Sequence, residues 1–311
     1  MLLVKALVVP FVLCGFLIFY RFRSKWSSVG CTLFVFNVTS LFIITGNWTH
    51  ISHYLRMMLI VLFLVSLLIV IKRLKKLPWK IKGNLLRSIG KSILFAFVTV
   101  QSVLTSYLFI SLLSYEFKNQ ESIDLKFPLK GGIYAVVHGG SSPILNYHAE
   151  YSSQRHALDF VKLNSYGKSH NLFAELSDLQ SYPIFDETVY SPVNGTVVHV
   201  TNGVEDQIKK TFSSNETNMV VIEQGRYQVL LLHLKKDSIR VSEGETVLQG
   251  DMLAKVGNSG YSSEPHLHMH VIERVDGVET SYFNGRSVPF TVGGEILKRN
   301  DLIADERVIF R

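Results

Sequence analysis

The chain has 311 residues, two cysteines and a formal net charge of +7. The charge is uneven: residues 1–118 hold 14 Lys/Arg against one acid, Glu116, while residues 119–311 hold 18 Lys/Arg against 24 Asp/Glu. The basic balance thus belongs to connectors between apolar runs and argues against a nucleic-acid partner. Cys14 and Cys31 both lie in the first part, so the remainder folds without disulfides and has no thiol nucleophile.

In chain order, the apolar runs are Leu2–Tyr20, Cys31–Gly46, Met57–Ile71 and Ile93–Leu113. A spanning helix needs about 20 apolar residues. Ile93–Leu113 reaches that length without a charge, and Met57–Ile71 reaches it if Tyr54–Arg56 join. Leu2–Tyr20 carries Lys5 and Pro10 near its start, which a span tolerates. Arg21-Phe22-Arg23 follows it rather than a small-residue cleavage site, which argues against a signal peptide. Cys31–Gly46 is the shortest run and contains Asn37, Thr39 and Ser40; an interfacial segment is its alternative. The sequence predicts four transmembrane helices over residues 1–117 and a multi-pass protein of the cell membrane, with the lipid bilayer as a partner. Arg21, Arg23 and Lys25 in one connector, and the basic residues of 72–91 in another, place both connectors in the cytoplasm. Everything after Leu113 is then extracytoplasmic. Sensing, or binding of a membrane partner, would be a further role for the spans.

Residues 118–130 read as a linker and 131–311 as a mainly β domain, an antiparallel sheet or sandwich. Short apolar runs recur between turns at 132–137, 157–163, 195–200, 219–223, 228–233, 252–256 and 267–273. Asn171–Asp178 is predicted as a short helix and Asn202–Asn218 as a polar surface loop.

Within this domain, a Gly/Ser/Pro-rich turn from Gly257 leads into His266-Leu267-His268-Met269-His270. Alternating residues of a strand share a face, so three imidazoles crowd one side. That grouping suits a metal site. His148, His156, Asp159 and His233 lie upstream. One carboxylate and two histidines make a three-ligand set of the kind that leaves zinc an open position, with two histidines left for proton handling and charge stabilisation.

The chain holds Asn146-Tyr147-His148 with Ala157-Leu158-Asp159, Ser191-Pro192-Val193-Asn194-Gly195-Thr196-Val197, Leu231-Leu232-His233-Leu234, Val256-Gly257-Asn258-Ser259-Gly260 and Pro265-His266-Leu267-His268. Together these motifs resemble those of the lysostaphin-type zinc endopeptidases, which cut peptide cross-bridges in peptidoglycan. The resemblance covers about Gly131 to Phe290 and implies a β-sheet core with an open groove. It also implies one Zn2+ per chain on His148, Asp159 and His268, and His233 and His266 as the catalytic pair. Peptide hydrolysis would proceed by a metal-activated water. The expected substrate is a peptidoglycan peptide or another surface peptide. His156 is the alternative first ligand, but three residues before Asp159 in a strand it faces the other side. His270 reads as a polar neighbour on the groove face. His138 reads either as a residue near the groove or as a strand cap.

Two function classes follow: an active zinc metalloendopeptidase, or a catalytically inactive wall-binding or regulatory module of the same fold. Val241–Gly257 also looks like the hairpin of a lipoyl or biotinyl carrier, but Gly244-Glu245 at its tip offers no modifiable lysine.

Overall fold

A computed structural model describes residues 2–79, 85–114, 122–171, 174–208, 216–274 and 285–311. The chain divides into two compact units, Met1–Phe117 and Lys118–Arg311.

The first unit is helical: α1 (Leu2–Phe19), α2 (Lys25–Thr45), α3 (Trp48–Ile51), α4 (His53–Leu74) and α5 (Leu85–Ser114). Ser24 caps α2 by accepting from the Ser27 amide. Its interior mixes apolar residues such as Leu17, Trp48, Leu59 and Phe63 with buried Ser28, Asn37, Thr39 and Ser66. Its outer faces expose large apolar residues, among them Val12, Leu33, Phe36, Met58, Leu64 and Leu68.

Two helices among the described residues, not four, are long and apolar enough to cross a membrane: α2 and α4. The expected runs at Leu2–Tyr20 and Ile93–Leu113 do fall on α1 and α5. Their described apolar stretches, Val8–Phe19 and Phe95–Tyr107, are nevertheless shorter than a span. The order of the expectation is reversed at α2, which gains length by starting at Lys25. Its polar Asn37 is satisfied by donating to Ser102 Oγ at 2.7 Å.

The second unit holds the strands β1 (Ile123–Leu125), β2 (Ile133–His138), β3 (Leu158–Leu163), β4 (Thr188–Tyr190), β5 (Gly195–Thr201), β6 (Met219–Gln224) and β7 (Tyr227–Leu232). These are followed by β8 (Thr246–Val247), β9 (Met252–Lys255), β10 (Leu267–Glu273), β11 (Arg286–Ser287), β12 (Phe290–Val292), β13 (Leu302–Ala304) and β14 (Arg307–Phe310). The main sheet runs β14-β13-β2-β3-β10-β7-β6-β5-β8, with β11 also on β10, and its pairings are antiparallel. All seven predicted strand runs are present to within a residue or two. Within the expected linker, residues 123–125 instead form β1, parallel to β12. The helix predicted over Asn171–Asp178 is absent among the described residues, which exclude 172 and 173; the local element is a 3₁₀ turn at Leu179–Ser181. In the predicted loop, residues 209–215 lie outside the described residues.

Period-two alternation gives the sheet two different faces. Val136, Phe160, Val220, Ile222, Val229, Leu231, Leu267, Met269 and Val271 point into the main core. Asp159, His268 and His270 occupy the alternate positions of β3 and β10, and Leu230 and Leu232 those of β7. The register sets His268 opposite both Asp159 and Leu232, so the polar residues gather mid-sheet.

Gly257 closes the turn beneath this face. Its amide donates to His233 O at 3.0 Å, and a Cβ there would overlap Asp206 Oδ1 and the Lys235 backbone. Gly257→Ala should therefore destabilise residues 118–311 by about 1–3 kcal/mol through overpacking. A urea midpoint equal to wild type would refute that.

Candidate metal centre and cleft

Asp159 is the hub of the site. His148 Nε2 lies 2.9 Å and His138 Nδ1 2.8 Å from its Oδ2. His268 Nδ1 lies 2.8 Å from its Oδ1, and His266 Nε2 lies 3.7 Å from the same oxygen. The His148 and His268 rings are 4.6 Å apart, and His148, Asp159 and His268 are 4%, 2% and 2% exposed.

Each of these side chains has a local reason for its orientation. His148 sits on a 3₁₀ turn, Tyr147–Glu150, where Asn146 Oδ1 accepts from its amide at 3.1 Å. Asn146 is fully buried and donates to Gly140 O and Ala157 O, which pins this loop to the start of β3. Gln154 Oε1 faces His148 Nδ1 at 3.1 Å, leaving Nε2 for Asp159. His233 follows β7 with φ +61, a conformation rare outside glycine. Strict alternation would turn position 233 toward the core. The left-handed backbone instead sets its ring 4.6 Å from that of His266.

The tautomers of this pair follow from their partners. His233 Nδ1 contacts Ser259 O at 2.8 Å, and His266 Nδ1 contacts Glu264 O at 2.8 Å. A carbonyl oxygen only accepts, so Nδ1 of each ring carries the hydrogen and Nε2 of the neutral ring keeps its lone pair. Burial, reinforced by the neighbouring His266 and His268, holds His233 well below the usual histidine range. Burial likewise lowers His268 to about 4. Burial alone would raise the Asp159 carboxyl; the facing histidines, His148 foremost, outweigh it and hold the group well below the carboxylate range.

A metal ligand must be deprotonated. An ionised Asp159 and a neutral His268 meet that need, and His148 completes a buried two-nitrogen, one-carboxylate set of the type zinc takes. The residues present therefore fit the group. Beside them opens a cleft of about 410 Å³ lined by Tyr147, Tyr151, Gln154, Thr217, Leu232, Tyr261 and the three histidines His148, His233 and His268. Tyr147, Tyr151 and Tyr261 are half-exposed along it.

His156 is absent from this group; its amide donates to Ser287 Oγ at 3.2 Å. His270 shares the face of His268 but is fully buried rather than open to the groove, with Nδ1 2.9 Å from His268 Nε2. Of the two expectations for His138, the position near the groove holds, since its ring meets Asp159. Val136 faces the core, and plain alternation would put His138 there as well. A β-bulge between Val136 and His138 shifts the register, so that His138 pairs with Asp159 and takes its face. No periodic signal in the sequence announces that extra residue.

Residues 182–288 match Peptidase family M23. That segment is similar to an M23 peptidase domain. The matched segment contains His233, His266 and His268, whereas His148 and Asp159 lie before it. An "Uncharacterized metalloprotease" of Haemophilus influenzae is 37% identical over 75 residues, 24% of this chain and 13% of that protein. A zinc containing peptidase from Vibrio cholerae is 22% identical with a TM-score of 0.30, covering 52% of this chain and 41% of that one. Lysostaphin from Staphylococcus simulans is 16% identical with a TM-score of 0.30, covering 50% and 47%. The chain thus spans less than half the length of each.

A half-buried carboxyl, Glu264, lies beside the pair. Burial raises Glu264 from 4.5 to about 7, with Asp159 adding to the rise and His266 opposing it. A raised folded pKa means that the folded state holds the proton more tightly. The associated stability is complete below about pH 4.5 and lost as pH rises through about 7. In chelator-treated protein, this residue should cost about 1–3 kcal/mol between pH 5 and pH 8, and Glu264→Gln should remove that slope. Parallel urea curves for the two proteins at both pH values would contradict this.

Proposed function

We propose that this chain is a membrane-anchored zinc metalloendopeptidase that hydrolyses peptide bonds of peptidoglycan cross-links, or of another peptide presented at the cell surface. The observation that carries the reading is the convergence of His148 and His268 on one buried carboxylate, with the His233–His266 pair directly beside it. His148, Asp159 and His268 would hold one zinc per chain. A zinc held by them would supply Lewis-acid polarisation of the scissile carbonyl and a water with its pKa lowered toward about 7.

The chain's own residues do the rest. The cleft walls, with Tyr147, Tyr151 and Tyr261, take an extended peptide and exclude water from its backbone. His233 is kept neutral by burial, and its Nε2 accepts the proton of the attacking water. His233 Nε2, now carrying that proton, passes it to the leaving amine by way of His266 Nε2, whose lone pair accepts and returns it. Ser259 O and Glu264 O hold both rings in the tautomer this needs.

The membrane reading rests on α2 and α4, on the apolar outer faces of the helical unit, and on the basic connectors at 21–25 and 72–91. By the charge rule these connectors are cytoplasmic and the peptidase domain extracytoplasmic, on the side where peptidoglycan lies.

The test is zinc content and cleavage of purified peptidoglycan by the detergent-solubilised chain. About one zinc per chain with new amino termini in the digest supports the enzyme. A folded chain that takes up no zinc and cuts nothing leaves the wall-binding module.

A further inference from the structure

Two histidines outside the proposed ligand set bracket it. His138 Nδ1 meets Asp159 Oδ2 at 2.8 Å, and His270 Nδ1 meets His268 Nε2 at 2.9 Å. The four residues form one chain of contacts: His138, Asp159, His268, His270. We propose that His138 and His270 are positioning residues that fix which atoms of Asp159 and His268 are presented to a metal. The proposal rests on the zinc reading above and assigns roles to two residues outside that reading.

The chemistry at each end is distinct. A carboxylate bound to a metal can only accept, so His138, outside the ligand set, carries its hydrogen on Nδ1 and donates it to Oδ2. That bond holds the carboxylate plane, with the bulge in β2 aiming the donor. At the other end, His268 binds through Nδ1 only if its hydrogen sits on Nε2. Nε2–H then needs an acceptor, and in this fully buried position the facing atom is His270 Nδ1. A neutral His270 with its hydrogen on Nε2 supplies that lone pair. A metal-bound imidazole is ordinarily oriented through its second nitrogen, and loss of such a partner typically weakens metal binding about 10–100-fold.

The experiment uses the full chain in detergent, with zinc competed against a chromophoric chelator at pH 7. His270→Leu and His138→Leu should each weaken zinc binding about 10–100-fold. His270→Asn and His138→Asn should restore most of it, because the asparagine head can set an oxygen acceptor or an amide donor near the position of Nδ1. A role in packing alone would not separate the Asn variant from the Leu variant. Leu variants that bind zinc as tightly as wild type overturn the proposal, as do Asn and Leu variants that are equally weak. Should a Leu variant fail to fold, ring-nitrogen NMR of zinc-loaded wild type decides: hydrogen on His268 Nε2 and on His138 Nδ1 is expected, and hydrogen on His268 Nδ1 refutes it. Wild type that binds no zinc overturns the zinc reading and this inference together, whereas tight wild-type binding with unaffected variants overturns this inference alone.

Discussion

Asp159→Asn should lower zinc affinity by more than about 100-fold and reduce peptide cleavage to background. Outer partners of a ligand are worth about 10–100-fold, and this residue is the hub of the proposed centre rather than a partner of it. His138, His148 and His268 all direct a ring nitrogen at its two oxygens within 2.9 Å. An amide of the same shape keeps the packing but removes the negative charge and offers only one acceptor. His148→Ala should behave alike, since its Nε2 would be lost from the set. His156→Ala should retain both zinc and activity, because His156 is not among the histidines that gather on Asp159. The pair separates the two first-ligand readings: zinc kept in His148→Ala and lost in His156→Ala would reverse the assignment. Metal content and rate should be read on the same preparation, since loss of rate with zinc retained would point to misorientation instead.

The second large effect concerns the His233–His266 pair. His233→Ala and His266→Ala should each reduce kcat by about 10²–10⁴-fold, the usual range for a positioned acid or base. Zinc content should remain near one per chain, because neither ring belongs to the proposed ligand set. KM should change less than kcat if these rings act in the transition state rather than in ground-state binding. The pH profile adds a separate reading. Burial keeps His233 neutral through the physiological range, so its titration should not produce an acid limb between pH 6 and 8. An acid limb there that disappears in His233→Ala would show that burial does not hold this ring neutral, and would leave its base role in place. A kcat within threefold of wild type in either variant would exclude that residue from proton transfer.

Much of the architecture was legible in the sequence because it rests on local periodicity. Val/Ile/Leu runs bounded by glycine and polar turns marked seven of the strands, including every strand of six or more residues, and the spacing of His266, His268 and His270 did anticipate a shared side. The helical unit was legible as apolar, but the lengths were not. Helix ends depend on capping and packing, such as Ser24 starting α2 six residues before the apolar run at Cys31. Residues 123–125 read as linker because a three-residue strand has no periodic signal; its partner Phe290–Val292 is remote in sequence.

What the sequence determined by itself was the presence of an apolar helical part, a β domain, and the histidines and aspartate that chemistry requires. These follow from composition and from two short-range periods. What only the tertiary structure decided was which of those groups meet. The choice of His148 over His156 depends on a loop pinned by Asn146 to β3. The arrival of His138 at Asp159 depends on one bulged residue, and the turning of His233 toward His266 on one left-handed residue. Each of these breaks the local period, and such breaks are stabilised by contacts between segments far apart in the chain.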